Sequence, residues 1–214
     1  MLKKEQIKAV GFDLDQTLYR ETKETFESYR KVLYEILAKE LKTTRQKAKR
    51  DFEKNYKIIG SGTETVRFMG VKEPEKLSAK VPDLAKQHLY ITKDPQLVNI
   101  IRYLKEKYKL FLITASGKKS SNLKLKALGL SPESDFDYKI FGDEKKSGKT
   151  KGLSFSKMVK MTKLKPIEHV YVGDREVTDV VPAKRAGMQT VIVWNKSDKA
   201  DLALKTIYEL DQYL

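Results

Sequence analysis

Two aspartates, Asp13 and Asp15, close an apolar run in the segment Val10-Gly-Phe-Asp-Leu-Asp-Gln-Thr-Leu18. The run from Ile7 reads as a buried strand that ends at Asp13, where the chain turns. Burying a carboxylate without a partner costs about several kcal/mol or more, so stability alone does not place charges there. Ligands of open α/β sheets, by contrast, bind at the carboxyl ends of the strands. Three further groups stand at or near predicted strand ends: Thr114-Ala115 after Lys109–Ile113, Lys149 beyond Tyr138–Phe141, and Asp174 with Asp179 after His169–Gly173. In a parallel sheet these ends share one edge. Carboxylates bunched this closely repel one another and call for a cation. Mg²⁺ suits, since it binds through one or two carboxylates plus water and substrate phosphate. A lysine and a hydroxyl suit phosphate oxygens.

Each residue also has an ordinary structural use. Asp13 can cap a turn, Thr114 can cap the next helix, and an aspartate on a helix face such as Asp179 is commonly solvated. Convergence on one sheet edge favours the shared chemistry. His88 and His169 carry no partner signal and read as surface or core residues. Gly142-Asp-Glu-Lys-Lys-Ser-Gly-Lys-Thr150 looks like a P-loop, but five residues separate its glycines where that motif has four.

The elements that position these groups follow from periodicity. Phe26, Tyr29, Leu33, Ile36, Leu37 and Leu41 form a helical stripe. Thr43 or Thr44 caps a second helix with Ala48, Phe52 and Tyr56 on its stripe, broken at Gly60-Ser-Gly. A short segment from Glu64 to Met69 leads to a further helix from about Glu75. No strand is expected between Tyr19 and Lys93. From Asp94 onward strands alternate with helices. One helix runs through Leu97, Ile100, Ile101 and Leu104, the next through Leu123, Leu125 and Leu128 to a cap at Gly129. Another carries Phe155, Met158, Val159 and Met161; Val177–Ala186 is helical despite Pro182; Thr190–Trp194 is the last strand, before a final helix through Leu204, Ile207 and Leu210. The expected fold is α/β: a Rossmann-like, doubly wound parallel sheet with an all-helical insertion after the first strand.

The chain of 214 residues suits one α/β domain with a modest insertion. It is 40% hydrophobic and 34% charged, with no apolar run of membrane length. The N-terminus lacks the apolar stretch of a signal peptide, and cytoplasmic residence is expected. The absence of cysteine excludes disulfides and thiolate metal sites. The net charge of +15 comes from lysines spread along the whole chain, which read as a solvated surface rather than a nucleic-acid face. Such a charge attracts anionic substrates.

Together, Asp-Leu-Asp-Gln-Thr-Leu, Leu-Ile-Thr-Ala-Ser, Lys149 and Val-Gly-Asp-Arg-Glu-Val-Thr-Asp resemble the four motifs of the haloacid dehalogenase-like (HAD) hydrolase superfamily, in order and spacing. Pro182 stands where a glycine is more usual. The resemblance implies that Asp13 is the nucleophile that forms an aspartyl-phosphate, and Asp15 the general acid and then base. Crowding by the other carboxylates is expected to let Asp15 hold a proton near neutral pH. It further implies Mg²⁺ held by Asp13, the carbonyl of Asp15 and Asp174, with Asp179 either a direct ligand or close behind, and Thr114, Ala115 and Lys149 on the phosphate. Residues 1–19 and 94–214 are expected to form the core domain, and 20–93 a helical C1 cap, with Gly60, Gly62, Arg67, Tyr19 and Arg20 as candidates for facing the site. The cap bears a loose similarity to pyrimidine 5′-nucleotidase-like members, which names no substrate. The implied activity is Mg²⁺-dependent hydrolysis of a small phosphorylated metabolite, nucleotides included. A phosphomutase shares every catalytic residue. A non-catalytic, basic nucleic-acid-binding protein on the same fold is the alternative from another class.

Overall fold

The computed structural model describes residues 2–144 and 148–214. Six parallel strands lie in the order β3-β2-β1-β4-β5-β6. They are β1 (Ala9–Phe12), β2 (Lys109–Ile113), β3 (Tyr138–Ile140), β4 (His169–Gly173), β5 (Gln189–Val193) and β6 (Leu202–Leu204). β1 is central, with Phe12 level with Leu112 of β2 on one side and Val172 of β4 on the other. Strands this apolar must be covered on both faces. Val10, Phe12, Leu112, Val172 and Val191 pack into one cluster, and Ala9, Phe111, Ile113 and Tyr171 into a second on the opposite face. A Cβ at Gly11 would lie 1.9 Å from the Phe111 ring, so β1 needs a glycine there. The fold is the expected Rossmann-like α/β sheet.

Four helices follow β1: α1 (Lys23–Glu40), α2 (Arg45–Ile59), α3 (Gly62–Phe68) and α4 (Pro74–Leu84). Thr22, Thr44 and Ser61 cap the first three through their hydroxyls. Gly60 ends α2 at φ 71, a left-handed position that favours glycine. These helices bury a cluster of their own, including Leu33, Leu37, Ala48, Phe52, Val66 and Val81. Phe26, on the expected α1 stripe, is exposed instead.

The remaining helices are α5 (Pro95–Lys107), α6 (Lys118–Leu128), α7 (Leu153–Thr162) and α8 (Val181–Arg185). Gly129 closes α6 at φ 90. Two expectations are corrected. The helix expected from Val177 splits into a π-helical turn, Glu176–Val180, and the short α8. Asp179 and Val180 both donate their amides to the Arg175 carbonyl, and Pro182, having no N–H, cannot carry the regular pattern back. The final helix is also interrupted. Leu204 belongs to β6, and a 3₁₀ turn, Ile207–Gln212, follows. Asp201 Oδ2 accepts from the Thr190 amide at 2.9 Å and its hydroxyl at 3.1 Å, which ties the segment to β5. That edge would otherwise offer unpaired backbone groups. Among the described residues, no helix is long and apolar enough to cross a membrane.

Candidate active site

The sheet edge gathers the sequence-derived residues. β1 ends with the Asp13 amide donating to the Val172 carbonyl at 2.9 Å. The chain then reverses: the Leu14 carbonyl accepts the amides of Thr17 and Leu18, and Gln16 takes a left-handed φ of 66. This turn brings the Tyr19 hydroxyl back to Asp15 Oδ1 at 2.6 Å. Asp174 follows β4. Gly173 leaves room for Asp179, for a Cβ there would stand 2.4 Å from the Asp179 side chain.

Asp13, Asp174 and Asp179 are buried, with carboxylate oxygens all within 4.8 Å of one another. Lys149 is buried among them, its Nζ 2.8 Å from Asp13 Oδ1 and 2.6 Å from Asp179 Oδ1. Asp179 Oδ2 accepts the Arg175 amide at 2.9 Å. Asp174 Oδ2 lies 3.5 Å from Arg175 Nε. One central ammonium therefore faces more negative charge than it balances. Burial pushes the Asp13 carboxyl up to about 7; Lys149 opposes this, and Asp179, Asp174 and Asp15 add to it. Burial and then Asp179 push Asp174 up to about 6. A divalent cation fits a set of oxygens that is buried, close-packed and short of positive charge.

Asp15 departs from expectation. Burial works to raise its pKa, but the charge of Lys124 and hydrogen bonds from Lys124, Ser116 and Tyr19 outweigh it. Asp15 is thus held below its ordinary value, as an anion, and carboxylate crowding falls on Asp13 and Asp174 instead. Thr114 is buried beneath the edge, its Oγ1 accepting the Ser116 amide at 3.1 Å. Ala115 is exposed to the cavity. A Cβ at Gly142 would lie 1.9 Å from the Ala115 carbonyl, so this approach requires glycine. Residues 145–147 of the P-loop-like segment fall outside the described residues.

A cavity of about 280 Å³ opens over Asp13, Asp15, Ala115, Ser116 and Lys149. The helical insertion supplies its far wall, with Phe26, Tyr29, Arg30, Phe52 and Tyr56. The Arg30 guanidinium lies 5.0, 4.8 and 4.9 Å from the ring centres of Phe26, Phe52 and Tyr56, with its Nε 3.6 Å from Glu53. Of the candidates for facing the site, Tyr19 and Gly62 line the cavity, and Gly60 does not. Arg67 instead pairs with Glu64 and Glu75, and Arg20 lies over Trp194. His169 is a core residue, its Nε2 2.8 Å from the Thr162 hydroxyl.

Ser116, Lys124, Arg30 and Arg175 were not singled out from the sequence. Lys124 had a legible signal. It sits one residue before Leu125 and four before Leu128, on the inward stripe of α6, where a lysine is out of place. Arg30 had none, because its neighbour Tyr29 already accounted for that turn of α1.

Residues 10–193 match the family described as haloacid dehalogenase-like hydrolase. A curated relative, glyceraldehyde 3-phosphate phosphatase of Methanopyrus kandleri, is 29% identical over 195 residues, covering 86% of this chain and 83% of its own. Among solved structures, a HAD phosphatase from Thermococcus onnurineus is 25% identical with a TM-score of 0.65, covering 97% of each chain. β-Phosphoglucomutase of Clostridium difficile shares the fold at 20% identity and a TM-score of 0.68, covering 95% of this chain and 93% of its own.

Proposed function

Since the chain belongs to the haloacid dehalogenase-like hydrolases, we propose that it hydrolyses a small phosphomonoester through an aspartyl-phosphate on Asp13, with Mg²⁺ as its metal. The observation that carries this reading is the buried cluster of Asp13, Asp174 and Asp179 around Lys149, of which Asp13 and Lys149 line the cavity. Asp13, Asp174 and the Asp15 carbonyl would hold the ion, with Asp179 beside them. Bound there, Mg²⁺ supplies positive charge between an anionic nucleophile and an anionic phosphate.

The chain's own groups do the rest. Lys149 orients Asp13 and faces the phosphate oxygens, which the Ala115 amide also reaches. Asp13 Oδ attacks phosphorus as the ester bond breaks. Asp15 is an anion in the resting site. A phosphate dianion arriving beside it favours its protonated form, and that proton passes to the leaving oxygen. Asp15 then takes a proton from the water that hydrolyses the aspartyl-phosphate. The helical insertion acts as the cap, with residues 20–93 as its extent, excluding water and reading the rest of the substrate. A cavity of about 280 Å³ favours a three- to six-carbon phosphate over a polynucleotide. The relative that acts on glyceraldehyde 3-phosphate supports the same size class.

The test is phosphate release from a panel of sugar phosphates, nucleotides and phosphoglycolate, with Mg²⁺ and with EDTA. Release that EDTA abolishes supports the reading. Isomerisation of a sugar phosphate with no phosphate release would make the protein a mutase. Arg30→Gln is expected to lower kcat/KM on the preferred substrate by roughly 10- to 100-fold, mainly through KM, because Arg30 touches the cap side of the cavity and not the reacting phosphorus. Arg30→Lys should not restore it, since an ammonium does not stack among three rings as a guanidinium does. A loss confined to kcat would remove Arg30 from substrate recognition.

A further inference from the structure

We propose that Lys124 is the positioning residue of Asp15: with the hydroxyls of Ser116 and Tyr19, its ammonium fixes the carboxylate that serves both the leaving oxygen and the attacking water. The proposal rests on the phosphatase reading above.

Lys124 is fully buried in α6. A lysine buried there gains nothing for the helix that a leucine would not, and an unpaired ammonium in that place is strongly unfavourable. Its Nζ is 2.5 Å from Asp15 Oδ1 and 3.3 Å from Ser116 Oγ. Tyr19 donates to the same Asp15 oxygen at 2.6 Å, and Ser116 donates to Oδ2 at 2.6 Å. Both carboxylate oxygens are therefore held, from three directions: the turn after β1, the loop after β2, and α6. Three donors in fixed places define the plane of the carboxylate as well as its position.

The two lysines divide the acids. Lys149 bridges Asp13 and Asp179, and Lys124 takes Asp15. This separation matters because the acids act in sequence. In the first step the Asp13 Oδ–P bond forms, the P–O ester bond breaks, and the proton on Asp15 passes to the leaving oxygen. In the second the water oxygen bonds to phosphorus, the Asp13 Oδ–P bond breaks, and the proton lost by water goes to Asp15. One carboxylate must meet two oxygens on the same side of phosphorus. A displacement of about 1 Å costs on the order of 100-fold.

The experiment compares kcat and KM of the full-length protein and Lys124→Met on two Mg²⁺-loaded reactions: release of phosphate from glycerol 3-phosphate, whose alkoxide needs a proton to leave, and from p-nitrophenyl phosphate, whose phenolate does not. On glycerol 3-phosphate, kcat/KM should fall roughly 100- to 1000-fold. On p-nitrophenyl phosphate, kcat/KM should stay within about 3-fold while kcat and KM fall together, because only the water step is slowed. Ser116→Ala and Tyr19→Phe, which leave the buried lysine in place, should show the same leaving-group dependence more weakly. They decide the matter if Lys124→Met does not fold. Equal losses on both substrates, or no loss, overturn the assignment of Lys124 and reduce it to packing. Wild-type protein that releases phosphate from neither these esters nor the panel overturns the phosphatase reading, and this proposal with it.

Discussion

Asp13→Asn is expected to lower phosphate release by on the order of 10⁵-fold, with KM little changed. The amide keeps the shape of the carboxyl group but is no nucleophile, and no other described carboxylate occupies its place at the end of β1. Activity within 10-fold of wild type would sink the aspartyl-phosphate. The same substitution has a second readout, in stability. The Asp13 carboxyl sits at about 7 in the folded protein against an ordinary 3.8. The folded state therefore binds this proton more tightly than the unfolded chain. Stability from this source is complete below about 4 and is lost as pH rises through about 7. In chelator, Asp13→Asn should thus be more stable than wild type at pH 8, by on the order of a few kcal/mol and with a higher melting temperature, and the gap should close toward pH 4. Comparing the two proteins cancels His169, which burial holds below its ordinary value and whose contribution has the opposite sign. A melting difference that does not vary with pH would show that Asp13 is not destabilised by its neighbours.

Lys149→Met should be damaging in both respects. Its ammonium is the shared partner of Asp13 and Asp179. Removing one member of a buried charge set typically costs about 3–5 kcal/mol, because the remaining charges are left without compensation. Loss of a preorganised positive group facing the transferring phosphate should also lower kcat by roughly 10³-fold. The two effects separate with Mg²⁺. A divalent ion among the three carboxylates should restore much of the lost melting temperature and little of the activity. Equal stability of variant and wild type in chelator would mean that Lys149 does not hold the cluster together.

The sequence made the sheet edge readable because the strand patterns were strong. Continuous apolar runs ending in Asp13, Thr114 and Asp174 identify parallel strands and their ends together. The helical insertion was readable from its stripes, and Thr44 and Gly60 from the chemistry of caps. What escaped was decided by distant contacts. Leu204 carries helix-compatible neighbours, yet Asp201 binds Thr190 and the segment joins the sheet. Asp15 looked like one more crowded carboxylate, and only the packing of α6 against the turn after β1 shows that a lysine 109 positions away reverses its charge balance. Arg30 lay hidden among aromatic residues that read as core, although Phe26 is exposed.

The π-helical turn at Glu176–Val180 constrains how this chain can vary in length. It accommodates one residue more than a regular turn between β4 and α8. Deleting one residue ahead of Asp179 would let the turn relax into ordinary helix with α8 still in phase, but would carry Asp179 itself about 100° round the axis. Ala183 would keep its place beside Phe155 and Tyr171, whereas Asp179 would swing away from the end of β4. Substitutions in this turn other than at Asp179 can be absorbed singly, whereas a one-residue deletion ahead of Asp179 strikes the carboxylate cluster. Lineages of this protein should therefore keep Asp179 at a constant spacing from Asp174 while the residues between them change, with length variation confined to other loops.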